Sequence, residues 1–159
     1  MNLNVGISDW KVSKPPDVIV TYALGSCVGI CLYDKRTKIA GLSHIMLPDS
    51  GNSGEANINR MKFADTAIPD MLKKMVALGA MQSGITAKIA GGATMFSASG
   101  CDRFNIGERN VVAVKAALQT LRIPIIGQDT GANYGRTLFL YPETGKVKVK
   151  SASKGERDL

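Results

Sequence analysis

The sequence predicts a single α/β domain over residues 1–159, with mixed β-sheets packed together and helices flanking them. Three observations predict it. The chain has 159 residues, of which 45% are hydrophobic and 21% charged, enough to bury a core in one domain and too apolar for a disordered chain. Hydrophobic periodicity reads as several strands, a helix, a strand, a second helix, then a strand and a hairpin, without the regular alternation of a doubly wound fold. No repeat, low-complexity block or linker divides the chain.

Residues 5–12 read as an N-terminal strand, ended by Pro15-Pro16. The β-branched residues 18–21 form the next, with Ile19 and Thr21 on one face. The bend Gly25-Ser26-Cys27 follows. Residues 28–33 are an apolar strand, the polar residues 34–38 a surface turn, and residues 39–47 a second apolar strand. Such a pair, joined by a short polar turn, is antiparallel. Period two groups Cys27, Gly29, Cys31 and Tyr33 on one face, and Ala40, Leu42, His44 and Met46 on another. Residues 49–59, rich in Gly, Ser and Asn, read as a surface loop.

Apolar residues from Met61 to Leu78 recur at helical spacing, with Gly79 as a C-cap and Pro69 marking a kink or a late start. Residues 85–90 form a strand leading into Gly91-Gly92. No Gly-Lys-Ser/Thr follows, which excludes a nucleotide loop. Asn105 and Glu108 have capping-box spacing ahead of a helix that buries Val111, Val114, Leu118 and Leu121. Residues 125–126 are a strand and residues 128–135 a polar loop. Residues 137–141 and 146–150 form a hairpin, and residues 151–159 a frayed tail.

The odd count of three cysteines, with an N-terminus unlike a signal peptide, argues against a disulfide framework and for the cytoplasm. Cys27 and Cys31 lack the two-residue spacer of common zinc sites. With a single histidine in the chain, a metal site is not expected. No stretch reaches the length of a membrane span. The net charge of +7 suits an acidic partner or nucleic acid. Lys146, Lys148 and Lys150 alternate as guards of an edge strand do, and no nucleic-acid-binding motif accompanies them.

The chemistry concentrates in residues 21–44. A strand cysteine is commonly a small core residue, and Cys31, deep in its strand, fits that description. Cys27 differs, because it stands at a loop-to-strand junction beside a glycine, where a thiol stays accessible. A lone strand histidine is commonly a hydrogen-bonded core group. Antiparallel pairing nevertheless brings the thiol and His44 together, the minimal unit of cysteine nucleophilic catalysis. The N–H groups of Ser26 and Cys27 are candidates to face an oxyanion.

These residues resemble the CheD family of chemoreceptor glutamine deamidases. The resemblance lies in LGSCVGICLYD (24–34), GLSHIMLPDS (41–50), KFADTAI (62–68), AKIAGGATMF (87–96), NIGERN (105–110) and DTGANYGRT (129–137), in order along most of the chain. The family pattern carries a second glycine where this chain has Ala132. The resemblance implies Cys27 as nucleophile, His44 as base and Thr21 as the residue that orients His44. It implies a fold similar to toxin glutamine deamidases, no cofactor, glutamines of methyl-accepting chemotaxis receptors as substrate, and a CheC-type phosphatase as partner. Gly91, Gly92 and Phe96 are the candidate docking residues, an apolar ring beside glycines being able to seat a helix. Two other readings remain at this point. One is a non-catalytic partner of the phosphatase; the other is a cysteine hydrolase acting on a different amide.

Overall fold

A computed structural model describes residues 1–51, 59–94 and 105–159. Two five-stranded sheets pack face to face, and two helices cover the outer face of one of them. The first sheet runs β1 (Asn2–Asn4), β3 (Val18–Leu24), β8 (Arg136–Tyr141), β9 (Lys146–Ser151), β10 (Gly155–Asp158). The second runs β2 (Asp9–Ser13), β5 (Ile39–Ile45), β4 (Val28–Asp34), β6 (Ile85–Gly91), β7 (Ile125–Thr130). Both are mixed: β1–β3 and β6–β7 are parallel and the other pairs antiparallel. The predicted class, mixed sheets with flanking helices, is what the chain adopts.

The second sheet is the middle layer, so both of its faces are buried. Val28, Ile30 and Leu32 face α1 (Ala64–Ala77) and α2 (Ile106–Thr120). Cys31, Ala40 and Leu42 face Ile19, Leu138 and Val149 of the other sheet. This explains why β4 and β5 read as continuous apolar runs, a pattern usual for strands covered on both sides. Gly29 meets the opposing sheet most closely: a Cβ there would lie 2.6 Å from Leu138 Cδ1. The parallel β6–β7 pair is joined through α2, the crossover that parallel neighbours require.

Several local expectations are corrected. Residues 5–12 are not one strand: Ser8, with φ 60°, turns the chain from β1 in one sheet to β2 in the other. Pro69 lies inside α1, which already begins at Ala64. Residues 128–130 belong to β7, because Ile89, Ala90 and Gly91 supply parallel backbone partners for them. Asn105 makes no capping bond; it is left-handed, and its side-chain amide donates to Glu108 instead. The tail is not frayed, since β10 pairs with β9 and Leu159 N–H donates to the Val147 carbonyl. The lysine strand β9 is therefore interior to its sheet, and Lys146, Lys148 and Lys150 face Asp158 and Glu156 across the β9–β10 pair. Of the residue 49–59 loop, 52–58 lie outside the described residues.

Candidate active site

Cys27, His44 and Thr21 come from three strands and two sheets. Thr21 is on β3, where period two turns its side chain toward the middle layer; it is fully buried. Just beyond it β3 carries a bulge between Thr21 and Leu24, with Ala23 at φ 60°. Bulges re-aim chains beside active sites, and here the chain swings into the bend at Gly25-Ser26-Cys27. His44 is on β5, fully buried and directly opposite Gly29 of β4. Cys27 precedes β4 by one residue, is half-buried, and packs against the inter-sheet core. It lies two residues before Gly29, so it stands diagonal to His44 across the strand pair, on the same face.

The proton inventory around His44 is closed on one side and open on the other. Thr21 Oγ1 lies 2.7 Å from the Val5 carbonyl and 2.7 Å from His44 Nδ1. A hydroxyl has one proton. The carbonyl can only accept, so Thr21 donates to Val5 and accepts from His44, which puts the imidazole proton on Nδ1. Nε2 is left as the unprotonated nitrogen. It is buried and has no hydrogen-bond partner among the described residues. Burial holds the His44 pKa down from 6.5 to about 4, so the ring is neutral near pH 7.

Burial also raises the Cys27 thiol, opposed by the N–H of Cys27 itself. At rest both groups are therefore neutral, and among the described residues no hydrogen bond joins the thiol to Nε2. Cys31 is buried outright and pushed up to about 12 despite Lys88 nearby, as befits a core cysteine. A cavity of about 400 Å³, lined in part by Cys31, Tyr33 and Lys88, lies toward the other end of β4. Among the described residues no group of three or more metal-ligating side chains is gathered.

The Gly25-Ser26-Cys27 bend is held through its carbonyls. Gly25 O accepts from Ala93 N–H at 2.9 Å, and Cys27 O from Gly92 N–H at 2.8 Å. Ser26 O accepts from Asn110 Nδ2 at 2.9 Å. Gly91 and Gly92, expected as a docking surface, are both buried. A Cβ at Gly91 would sit 2.3 Å from Cys27 O, and one at Gly92 2.3 Å from Val111 Cγ2, so the glycines serve close packing around the bend. Phe96 lies outside the described residues.

The sequence reading missed two contributors. Asn110, fully buried on α2, also donates to Met46 O at 3.0 Å, and so touches both ends of the site. Its signal was a polar residue on the face shared with Gly107, Val114 and Leu118. Arg136, 2% exposed, donates from Nε and Nη2 to Asp129 Oδ1 at 3.3 and 3.1 Å, and from Nη1 to Gly91 O at 3.5 Å. It pins the two sheets together beneath Gly91.

A thiol in a carbonyl-anchored bend, diagonal to an imidazole with one free nitrogen, defines a thiol–imidazole site on a two-sheet α+β domain. The family model described as CheD chemotactic sensory transduction matches residues 46–151. The chain is 49% identical over 158 residues to the probable chemoreceptor glutamine deamidase CheD of Lachnoclostridium phytofermentans, covering 99% of this chain and 98% of that one. It is 51% identical over 156 residues to the protein of the same name from Syntrophomonas wolfei, with 98% and 96% covered. It is 47% identical over 158 residues to the chemoreceptor glutamine deamidase CheD of Halalkalibacterium halodurans, with 99% and 98% covered. The chain belongs to the CheD family.

Proposed function

We propose that residues 1–159 act as one catalytic domain, a protein-glutamine deamidase with Cys27 as nucleophile, His44 as general base and acid, and Thr21 orienting His44. The overall activity is that of its relatives' name: a chemoreceptor glutamine side chain is hydrolysed to glutamate and ammonia. The observation that carries the assignment of roles is the tautomer of His44, whose Nε2 lone pair is turned free while Nδ1–H is held by Thr21.

The steps follow from the charges. The thiol is raised and the imidazole lowered, so there is no standing ion pair, and His44 takes the thiol proton as sulfur attacks. Sulfur bonds to the carboxamide carbon, and the N–H groups of Ser26 and Cys27 receive the oxyanion. The C–N bond breaks, and His44 returns the proton to the leaving ammonia. A thioester on Cys27 remains. Neutral His44 then takes a proton from water as hydroxide adds to the thioester, the C–S bond breaks, and His44 returns the proton to the leaving sulfur; the carboxylic acid loses its proton to solvent as glutamate.

The substrates are glutamines on cytoplasmic helices of methyl-accepting receptors, so the protein works in the cytoplasm. No described helix is long and apolar enough to cross a membrane. A net charge of +7 favours an acidic helical surface. A CheC-type phosphatase is the regulatory partner proposed with this role.

The test is mass spectrometry of glutamine peptides from a receptor cytoplasmic fragment, after incubation with wild type or Cys27→Ala. Conversion of amide to acid in wild type alone is the expected result. Conversion that persists in Cys27→Ala overturns the nucleophile, and no conversion with either protein across several receptors overturns the activity.

A further inference from the structure

The geometry points to Asn110 as a positioning residue for the nucleophile. Its amide fixes the plane of the Ser26–Cys27 peptide, so that the Cys27 N–H faces the reacting centre, and ties that plane to the end of the strand carrying His44. This rests on Cys27 being the nucleophile.

A side-chain amide nitrogen has two protons. Asn110 donates one to Ser26 O at 2.9 Å and the other to Met46 O at 3.0 Å. The first carbonyl precedes the thiol by one residue, and the second follows His44 by two. One group on α2 therefore bridges the bend and the segment after the His44 strand, 84 and 64 residues away in sequence, just beyond the Val28–Ile45 end of the β4–β5 ladder. The helix approaches this corner closely: a Cβ on Gly107 would lie 2.3 Å from Ala93 O.

The direction of the Cys27 N–H follows from peptide planarity. In a trans peptide the C=O of one residue and the N–H of the next point opposite ways. Ser26 O is drawn toward α2, so the Cys27 N–H is sent away from it. Gly25 O is drawn toward Ala93 N–H, so the Ser26 N–H is turned away from that strap. The Cys27 N–H is also the group that opposes burial at the Cys27 thiol. Asn110 thus acts on thiol acidity through one peptide plane, without touching sulfur.

The orphan on the same side chain argues against simple packing. Asn110 is fully buried, and its Oδ1 has no partner among the described residues. A buried unpaired acceptor costs stability, and a side chain serving packing alone would carry none.

The experiment compares wild type with Asn110→Asp and Asn110→Ala, and with Val114→Ala as a control one helical turn along α2. Each protein is read below its melting temperature, where circular dichroism shows it folded. Two readouts are taken: the pH profile of iodoacetamide alkylation at the Cys27 peptide, followed by mass spectrometry, and kcat and KM on a receptor fragment. Both Asn110 variants are expected to move the alkylation midpoint up by about one pH unit. They should lower kcat by about 10²-fold with KM changed by less than about threefold. Val114→Ala should lower the melting temperature and leave the alkylation profile in place. Asn110→Ser, keeping one donor on a shorter side chain, is the variant for the case in which the other two do not fold; an intermediate profile supports the proposal. Wild-type alkylation and kcat in any folded Asn110 variant overturn it. The alkylation profile needs no substrate, so a failure of Asn110 to set the Cys27 thiol is distinguished from a failure of the nucleophile reading, which shows instead as deamidation by Cys27→Ala.

Discussion

Thr21 and His44 share one hydrogen bond of 2.7 Å, and its direction is set by a third residue, Val5, whose carbonyl takes the threonine proton. Thr21→Val keeps the shape and removes the hydroxyl. It should lower kcat by about 10²- to 10⁴-fold, because Nδ1–H loses its acceptor and the tautomer is no longer fixed. Thr21→Ser keeps the oxygen and should stay within about tenfold of wild type. Steady-state kinetics of the pair, with melting temperatures alongside, checks this; equal losses in both would remove the orienting role.

The histidine also makes stability depend on pH. Its folded pKa of about 4 lies below the ordinary 6.5, so the unfolded chain binds the extra proton between those values. The stabilisation is complete above pH 6.5 and is lost as pH falls toward 4, by up to about 3 kcal/mol. Urea unfolding at pH 7, 5.5 and 4.5 should show this loss, and His44→Gln should flatten it. The acid limb of kcat/KM should likewise fall well below pH 6.5. A limb at 6.5 would mean that the imidazole titrates as it does in water.

The Arg136–Asp129 pair joins β8 of one sheet to β7 of the other, with Tyr134 stacked on the guanidinium at 4.3 Å. Asp129→Asn leaves a buried guanidinium without its carboxylate, and should cost roughly 3–5 kcal/mol. Adding Arg136→Met should recover part of that loss. Denaturant titration of the two singles and the double measures it, and strict additivity would show that the pair is not coupled.

Ala132 stands where the family pattern has glycine, and its φ is 60°. Its carbonyl accepts from Thr94 N–H at 2.9 Å, so the left-handed turn is tied in place. Ala132→Gly should relieve the Cβ crowding and raise stability by about 0.5–1 kcal/mol after the added chain entropy. A lower melting temperature would show that the turn tolerates alanine without strain.

Three large apolar side chains of this part of the chain are exposed: Ile7 at 57%, Tyr22 at 52% and Met46 at 43%. Each is close in sequence to a group of the Val5–Thr21–His44 chain. Tyr22→Ala and Met46→Ala should raise KM for a receptor fragment several-fold and leave Cys27 alkylation unchanged. An unaltered KM in the double variant would mean that the substrate helix docks elsewhere.

Much of the site was legible because it is local. The β4–β5 pair, its polar turn and the period-two faces of Cys27 and His44 all lie within residues 27–45, around one reversal. The role of Thr21 came only with the family resemblance, because its contact with His44 crosses from one sheet to the other. The Val5 carbonyl was not legible, because it is a backbone group delivered by β1 lying parallel to β3. Asn110 was hidden by distance and by a competing local signal, the Asn105–Glu108 spacing at the start of the same helix. The terminal strand was misread as a tail because its partner is the lysine strand, and its pattern of Glu156 and Asp158 makes sense only opposite Lys146, Lys148 and Lys150. The glycines at 91 and 92 stood out as docking candidates, but what packs against them, Cys27 O and Val111, is set by tertiary structure.

Thr21 belongs to one sheet and His44 to the other, so their contact exists only when the sandwich is shut. A chain in which the middle sheet alone has formed carries the thiol and the imidazole but nothing to choose which ring nitrogen holds the proton. The choice of protonated nitrogen is thus a property of the docked pair of sheets, and a half-assembled sandwich leaves both ring nitrogens of His44 without a partner.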